Sequence, residues 1–386
     1  MQLINRERPP VKVTLLAKKN SDKNKCELCN AYGSLQCANC KVTFYCGQKH
    51  FLMDKELHSD ICPRLKVVRT PIEFSPDNDT RERMIKQRRI LLEELCSYTY
   101  QKGQSLMEEG KYVKAIPAAT VSANYAKHLF GMSSNYISPL LVAAECYVHL
   151  GKLDVADKFL ARALDVEIVR SETLSHDVKA LIRRNEGLIN LAKNNLDEAL
   201  QCFAEEIYQN TEAYNPTHFR TSGGYCYLGY IFYIKGEYLV AASLFKQTVD
   251  IWVNTVDPLI EEMTTQLMVP MFAGETKKKL MSDCDNFQGL KILTKCYSHM
   301  EEDSGHVMLP IDMVRVCYAL AALLYIGERY VESKARAYRG LVFAKHLPPK
   351  FDNWRKKLQE MGKYNDRKLF KEEKSLGSPS FTSQMD

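Results

Sequence analysis

From about Thr80 onward the chain is rich in helix formers, and its apolar residues recur at i, i+3, i+4 spacing, the signature of one buried helical face. The body is therefore predicted to be nearly all helical. Ahead of it, residues 63–80, PRLKVVRTPIEFSPDNDT, hold three prolines and a polar Ser-Pro-Asp-Asn-Asp cluster and read as a linker without helical periodicity. Pro348 and Pro349 are placed to stop the last helical pair. A charged helix over roughly 352–374 is predicted to cap the array, and the closing KSLGSPSFTSQMD is expected to be disordered.

Within the helical body a motif recurs. EEGKYVKAI at 108, HLGKLDVAD at 149, AKNNLDEAL at 192 and IKGEYLVAA at 234 each place an aromatic or Leu two residues past a turn residue and an Ala five past it. The turn residues Gly110, Gly151, Asn194 and Gly236 are 41, 43 and 42 residues apart, a period that means stacked helical hairpins. A fifth copy, YIGERYVESKARAYRG at 325–340, reads with one residue inserted after Gly327. It lies 91 residues past Gly236, so a divergent copy is expected over 255–305, interrupted by an insert around VPMFAGETKKK at 269.

The copy at 224–252, GYCYLGYIFYIKGEYLVAASLFKQTVDIW, resembles a tetratricopeptide repeat. Tyr225, Leu228, Gly229 and Phe232 fill that family's first-helix slots, and Tyr238, Ala241 and Phe245 fill those of its second helix. Gly229 and Ala241 are small where two helices must approach closely. The period exceeds the usual 34 by about eight residues, which implies helices longer by roughly a turn each. The expected layout is an N-terminal extension (1–25), a cysteine-rich module (26–62), the linker (63–80), a mainly α solenoid of repeats (81–350), the charged helix (351–374) and the tail (375–386).

Composition narrows the class. The 386 residues suffice for one or two domains. MQLINRERPP has no apolar core of signal-peptide length and no stretch reaches a membrane span, so a soluble intracellular chain is expected. The net charge of +6 is mild and its basic residues are interspersed with acidic ones, which disfavours nucleic acid or membrane as partner. In a reducing compartment Cys96, Cys146, Cys202, Cys226, Cys284, Cys296 and Cys317 read as small buried hydrophobes. His128, His149, His176 and His299 read as ordinary structural residues.

The chemistry concentrates in CELCNAYGSLQCANCKVTFYCGQKHFLMDKELHSDIC, residues 26–62, with six of the thirteen cysteines. Cys26 and Cys29, Cys37 and Cys40, Cys46 and His50, and His58 and Cys62 form four pairs, two at C-x2-C spacing and two at i, i+4. Eight ligands suit two tetrahedral ions. If residues 46–62 formed one helix, its two pairs would lie about 18 Å apart, too far for one ion. Histidines among thiolates favour zinc over iron–sulfur.

The eight positions, with Tyr45 before Cys46, resemble a MYND-type zinc finger. That resemblance implies an interleaved pairing, with Cys26, Cys29, Cys46 and His50 on one zinc and Cys37, Cys40, His58 and Cys62 on the other, both structural. The family's proline-peptide groove uses a Gln and a Trp where this chain has Phe51 and Lys55, which argues against that activity, although Asp54 keeps the expected acidic residue. The finger is read as a protein-contact module. SET methyltransferases also carry such fingers, but their Gly-rich cofactor strand and Asn-His-Ser-type motif are missing here, and no phosphate loop or nucleophile motif replaces them. The chaperone-binding carboxylate clamp needs a Lys and an Asn where Tyr100 and Gln104 stand.

One finger ahead of long-period repeats, without a catalytic domain, resembles the axonemal MYND-finger family of MYND-domain-containing protein twelve. The resemblance implies a non-enzymatic scaffold of motile cilia and sperm flagella, in the axoneme and cytoplasm, attaching or assembling inner dynein arms beside another tetratricopeptide protein. Two other settings stay open: a cytoplasmic dynein preassembly adaptor acting with chaperones, and a nuclear corepressor adaptor using the finger.

Overall fold

The computed structural model describes residues 25–29, 31–72, 76–170, 172–268, 281–302, 309–345 and 347–376. The extension up to residue 24, the insert at 269–279, the tail beyond 376 and the Cys284 side chain lie outside the described residues. The fold is mainly α, with thirteen α-helices among the described residues, most of them packed on their neighbours in the series within each unit. No helix among them is long and apolar enough to cross a membrane. The chain divides into two compact units, Met1–Cys202 and Phe203–Asp386.

The first unit begins with a hairpin, β1 (Leu35–Gln36) antiparallel to β2 (Phe44–Tyr45), followed by α1 (Gln48–Arg69). Then come α2 (Asn78–Glu108), α3 (Tyr112–Phe130), α4 (Ser134–His149), α5 (Leu153–Arg170), α6 (His176–Ala192) and the start of α7 (Leu196–Ala213). Helices α3 to α7 are 16 to 19 residues long, in keeping with the long period.

The expected linker is corrected by α1, which runs through Pro63 to Arg69. Leu57, Ile61, Leu65 and Val68 form one stripe across the prolyl residue and join Leu92, Leu95, Val121 and Tyr125 in a single core. Burial of such side chains is worth about 1.5–3 kcal/mol each, enough to offset the hydrogen bond that Pro63 cannot donate. Only the end of the segment is a connection, and there Asp77 caps α2 by accepting from the Thr80 N–H at 3.0 Å.

The second unit holds α8 (Ser222–Ile234), α9 (Tyr238–Met268), α10 (Asp283–Glu302), α11 (Pro310–Ile326), α12 (Tyr330–Ala344) and α13 (Asp352–Leu376). Its core is built on the fully buried Trp252, whose Nε1 donates to Ser222 Oγ at 2.9 Å. The divergent copy expected over 255–305 is not a separate hairpin. Residues 255–268 continue α9 through Pro258, because Phe245, Val249, Trp252, Val256 and Ile260 form one unbroken buried stripe. The charged helix, α13, packs on α11 and α12 as a cap would.

The recurring turn has one geometry five times. Gly110, Gly151, Asn194, Gly236 and Glu328 each adopt positive φ, and the next helix starts two residues later. After each, the following N–H closes back on the carbonyl five residues before it, as in Lys111 to Leu106 at 2.8 Å and Arg329 to Leu324 at 2.8 Å. The fifth copy therefore has no insertion. Glu328 takes the left-handed slot that glycine or asparagine fills elsewhere, while Gly327 has an ordinary φ of −81°. A Cβ on Gly327 would stand 2.9 Å from Asn286 Nδ2, so that glycine answers to a close approach by α10 and not to the turn.

Candidate metal centre

Three local devices bring the cysteines together. The first knuckle closes when the Cys26 N–H donates to the Ala31 carbonyl at 2.7 Å. The second closes when the Cys37 N–H donates to the Thr43 carbonyl and the Lys41 N–H to the Cys37 carbonyl, both at 3.0 Å, with Lys41 in the left-handed region. Helix α1 then presents His50, Asp54, His58 and Cys62 at every fourth position along one face. Cys46 sits just ahead of the helix.

All eight expected ligands converge, in the interleaved pairing. Cys26, Cys29, Cys46 and His50 form one group and Cys37, Cys40, His58 and Cys62 the other, with the ligand atoms of each group within 4.8 Å of one another. In the first, Cys26 Sγ and Cys46 Sγ lie 3.4 and 3.1 Å from His50 Nδ1, and Cys29 Sγ lies 3.6 Å from Cys46 Sγ. In the second, Cys37 Sγ lies 3.9 Å from Cys62 Sγ, and His58 Nε2 lies 3.2 Å from Cys37 Sγ and 3.6 Å from Cys40 Sγ. A tetrahedral ion about 2.3 Å from sulfur and 2.0 Å from nitrogen sets edges of about 3.8 Å for S···S and 3.5 Å for S···N. The donor atoms already stand close to those edges, and the sulfurs are too far apart for disulfides.

The electrostatics of each group suits a cation. Burial alone would raise the Cys26 thiol, but backbone N–H groups of Cys29, Cys46 and Leu28 bring it down to about 6. Burial, together with the charges of Cys40 and Cys37, pushes Cys62 up to about 12. The thiols of one group cannot all ionise beside one another unless a cation offsets their charge. Burial lowers the His58 imidazole, which keeps it in the neutral form a ligand requires.

Around the ligands lies a supporting layer. The Tyr45 hydroxyl donates to Asp54 Oδ2 at 2.7 Å, and that oxygen stands 4.0 Å from His58 Nδ1, the ring nitrogen turned away from the sulfurs. At that distance the two are not hydrogen-bonded, and His58 Nδ1 and Asp54 Oδ1 are both buried without a hydrogen-bond partner. Burial pushes the Asp54 carboxyl up to about 7 against the lowering pull of the Tyr45 hydrogen bond. Phe51 packs edge-on against Tyr45, with ring centroids 5.5 Å apart, and Lys55 is exposed.

Sequence reasoning missed Arg69 and Glu27. Arg69, two turns past Cys62, returns its guanidinium to the knuckles and donates to both Glu27 carboxylate oxygens, to Thr43 Oγ1 at 3.1 Å and to the Val42 carbonyl at 3.3 Å. Glu27 lies inside the first knuckle and Thr43 just after the second, so one buried side chain ties both to the end of α1. The signal available in sequence was the seven-residue step from Cys62, which keeps Arg69 on the metal face. The other cysteines with described side chains, Cys96, Cys146, Cys202, Cys226, Cys296 and Cys317, are buried thiols outside any disulfide. No protein-family model matches the chain.

Proposed function

We propose that the chain is a non-enzymatic protein-interaction scaffold in which two structural zinc ions hold a MYND-type module on tetratricopeptide-like helical pairs. The observation that carries this reading is that each group offers four protein ligand atoms to one point. A tetrahedral ion held that way has no open position for water or substrate, so the metal serves folding instead of catalysis. Zinc is the metal proposed because three thiolates and one imidazole at tetrahedral edges are its usual donor set. When bound, the ion supplies a cross-link between residues distant along the chain.

The resemblance to the axonemal MYND-finger family supports the proposed setting: motile cilia and sperm flagella, with inner dynein arm components and a second tetratricopeptide protein as partners. Elemental analysis of purified full-length protein is expected to give two zinc ions per chain, and a different metal or none would overturn the zinc assignment. Affinity purification of the full-length chain from ciliated-cell lysate is expected to recover dynein-arm proteins. Recovery of chromatin or chaperone proteins in their place would transfer the chain to the nuclear or preassembly setting.

A further inference from the structure

The two ligand groups differ in their exposure. Cys37, Cys40, His58 and Cys62 are all buried, none more than 7% exposed, and Val42 packs against the three cysteines. Leu57 and Ile61, the residues just before His58 and Cys62 on α1, belong to the core shared with α2 and α3, so the helical side holds this group in place. In the first group only Cys26 is buried. Cys29 is exposed, and Cys46 and His50 are half-buried.

The first group is also open beside Cys46. A Cβ on Gly47, the next residue, would meet no atom within 4 Å. Gly47 has no side chain with which to cap the first turn of α1, the turn that carries His50. Across this open edge the Cys29 and Cys46 sulfurs stand 3.6 Å apart.

We propose that hydrogen peroxide oxidises Cys29 and Cys46 to a disulfide, so that the first group gives up its metal while the second keeps its own. The step presupposes the two zinc ions proposed above. A cysteine that ligates zinc is held as the thiolate, the form that attacks peroxide. The Cys29 thiolate, exposed to solvent, attacks one peroxide oxygen. The O–O bond breaks, Cys29 becomes a sulfenic acid and hydroxide departs. The Cys46 thiolate then attacks the Cys29 sulfur, the S–O bond breaks, and a second hydroxide departs as the S–S bond forms. The two thiolates lose two electrons and the peroxide gains them. Closing the bond takes the sulfurs from 3.6 Å to about 2.05 Å, a short step for an exposed knuckle. Cys26 and His50 are left as two ligands, too few to fill a tetrahedral site. The second group has no exposed sulfur with which to begin: Cys37 and Cys62 stand 3.9 Å apart, but each is buried. Oxidation therefore frees the start of α1, while His58 and Cys62 keep its later turns anchored.

Full-length, zinc-loaded protein treated with hydrogen peroxide beside a chromogenic zinc chelator tests this, with the same mixture lacking peroxide as the baseline. The expected result is two zinc ions per chain at the start and release of one, with a Cys29–Cys46 cross-link in peptide maps made without reductant. Dithiothreitol and added zinc are expected to restore the count to two. Cys29→His keeps a set of two thiolates and two imidazoles that suits zinc, and is expected to retain both ions through the same treatment. Fewer than two zinc ions at the start would overturn the zinc assignment itself. With two present at the start, release of both together would overturn the proposal. So would a cross-link among Cys37, Cys40 and Cys62 in place of Cys29–Cys46, or a Cys29→His protein that loses zinc as fast as the wild type.

Discussion

The Arg69 guanidinium meets the Glu27 carboxylate in a bidentate pair, at 2.9 and 2.6 Å, across 42 residues of chain, and both side chains are almost completely buried. Because Arg69 ends the helix that carries three of the metal ligands, this pair closes the loop between the first knuckle and the helical core. Burial works against the charge on Arg69, and the Glu27 carboxylate restores it.

Breaking one side of that pair strands the other charge in the interior. Arg69→Met is expected to lower stability by about 3–5 kcal/mol, and the double variant with Glu27→Leu is expected to regain much of it. Thermal melts of metal-loaded protein measure both. A single variant that melts like the wild type would show that the pair holds nothing together.

Metal loss is expected to reach beyond the knuckles. Helix α1 has His50, His58 and Cys62 on one face and Leu57, Ile61, Leu65 and Val68 on the next, and the latter share a core with α2 and α3. Cys37→Ser leaves its group with three ligands, so α1 loses an anchor and the packing beside it loosens. Amide exchange around Leu92–Cys96 and Val121–Tyr125 is expected to speed up by about tenfold or more, an opening easier by at least about 1.4 kcal/mol. Protection unchanged in those segments would mean that the module folds independently of the helices.

The ligand set was legible because each pair is local: C-x2-C and i, i+4 spacing survive without knowledge of the fold, and the structure brings all eight residues together in the pairing that the family resemblance implied. Arg69 was not legible, since its partner lies 42 residues away and its segment carries prolines that mask a helical stripe beginning at Leu57. The same masking by Pro258 hid the continuation of α9. In both cases buried apolar contacts outweigh a local breaker, a balance that a window of sequence does not contain. The turn glycines were read correctly wherever glycine itself holds the left-handed position, and misread at Gly327, where the neighbouring Glu328 holds it.

That misreading leads to a stability prediction. Glu328 has a φ of 60°, a region that costs a residue with a Cβ roughly 1–2 kcal/mol and glycine almost nothing. Glu328→Gly is expected to stabilise the second unit by about 1 kcal/mol, after allowing for the greater freedom of glycine in the unfolded chain. A melting temperature that falls would show that the glutamate side chain contributes more than its backbone costs.

The closest approach in the best repeat copy gives the opposite sign. A Cβ added to Gly229 would stand 2.9 to 3.3 Å from three atoms of the Phe245 ring, and Phe245 is buried in the core of the second unit. The ring can escape only by tilting into its packed neighbours, so even Gly229→Ala is expected to cost about 1–3 kcal/mol despite its better helix propensity. Gly362, with open space around its missing Cβ, is the control: Gly362→Ala on α13 is expected to stabilise by up to about 1 kcal/mol. Denaturant melts of the two variants, compared at equal m-value, separate the steric effect from the propensity that both substitutions share. Equal stabilisation in the two would remove the close contact between α8 and α9 from the account of this repeat.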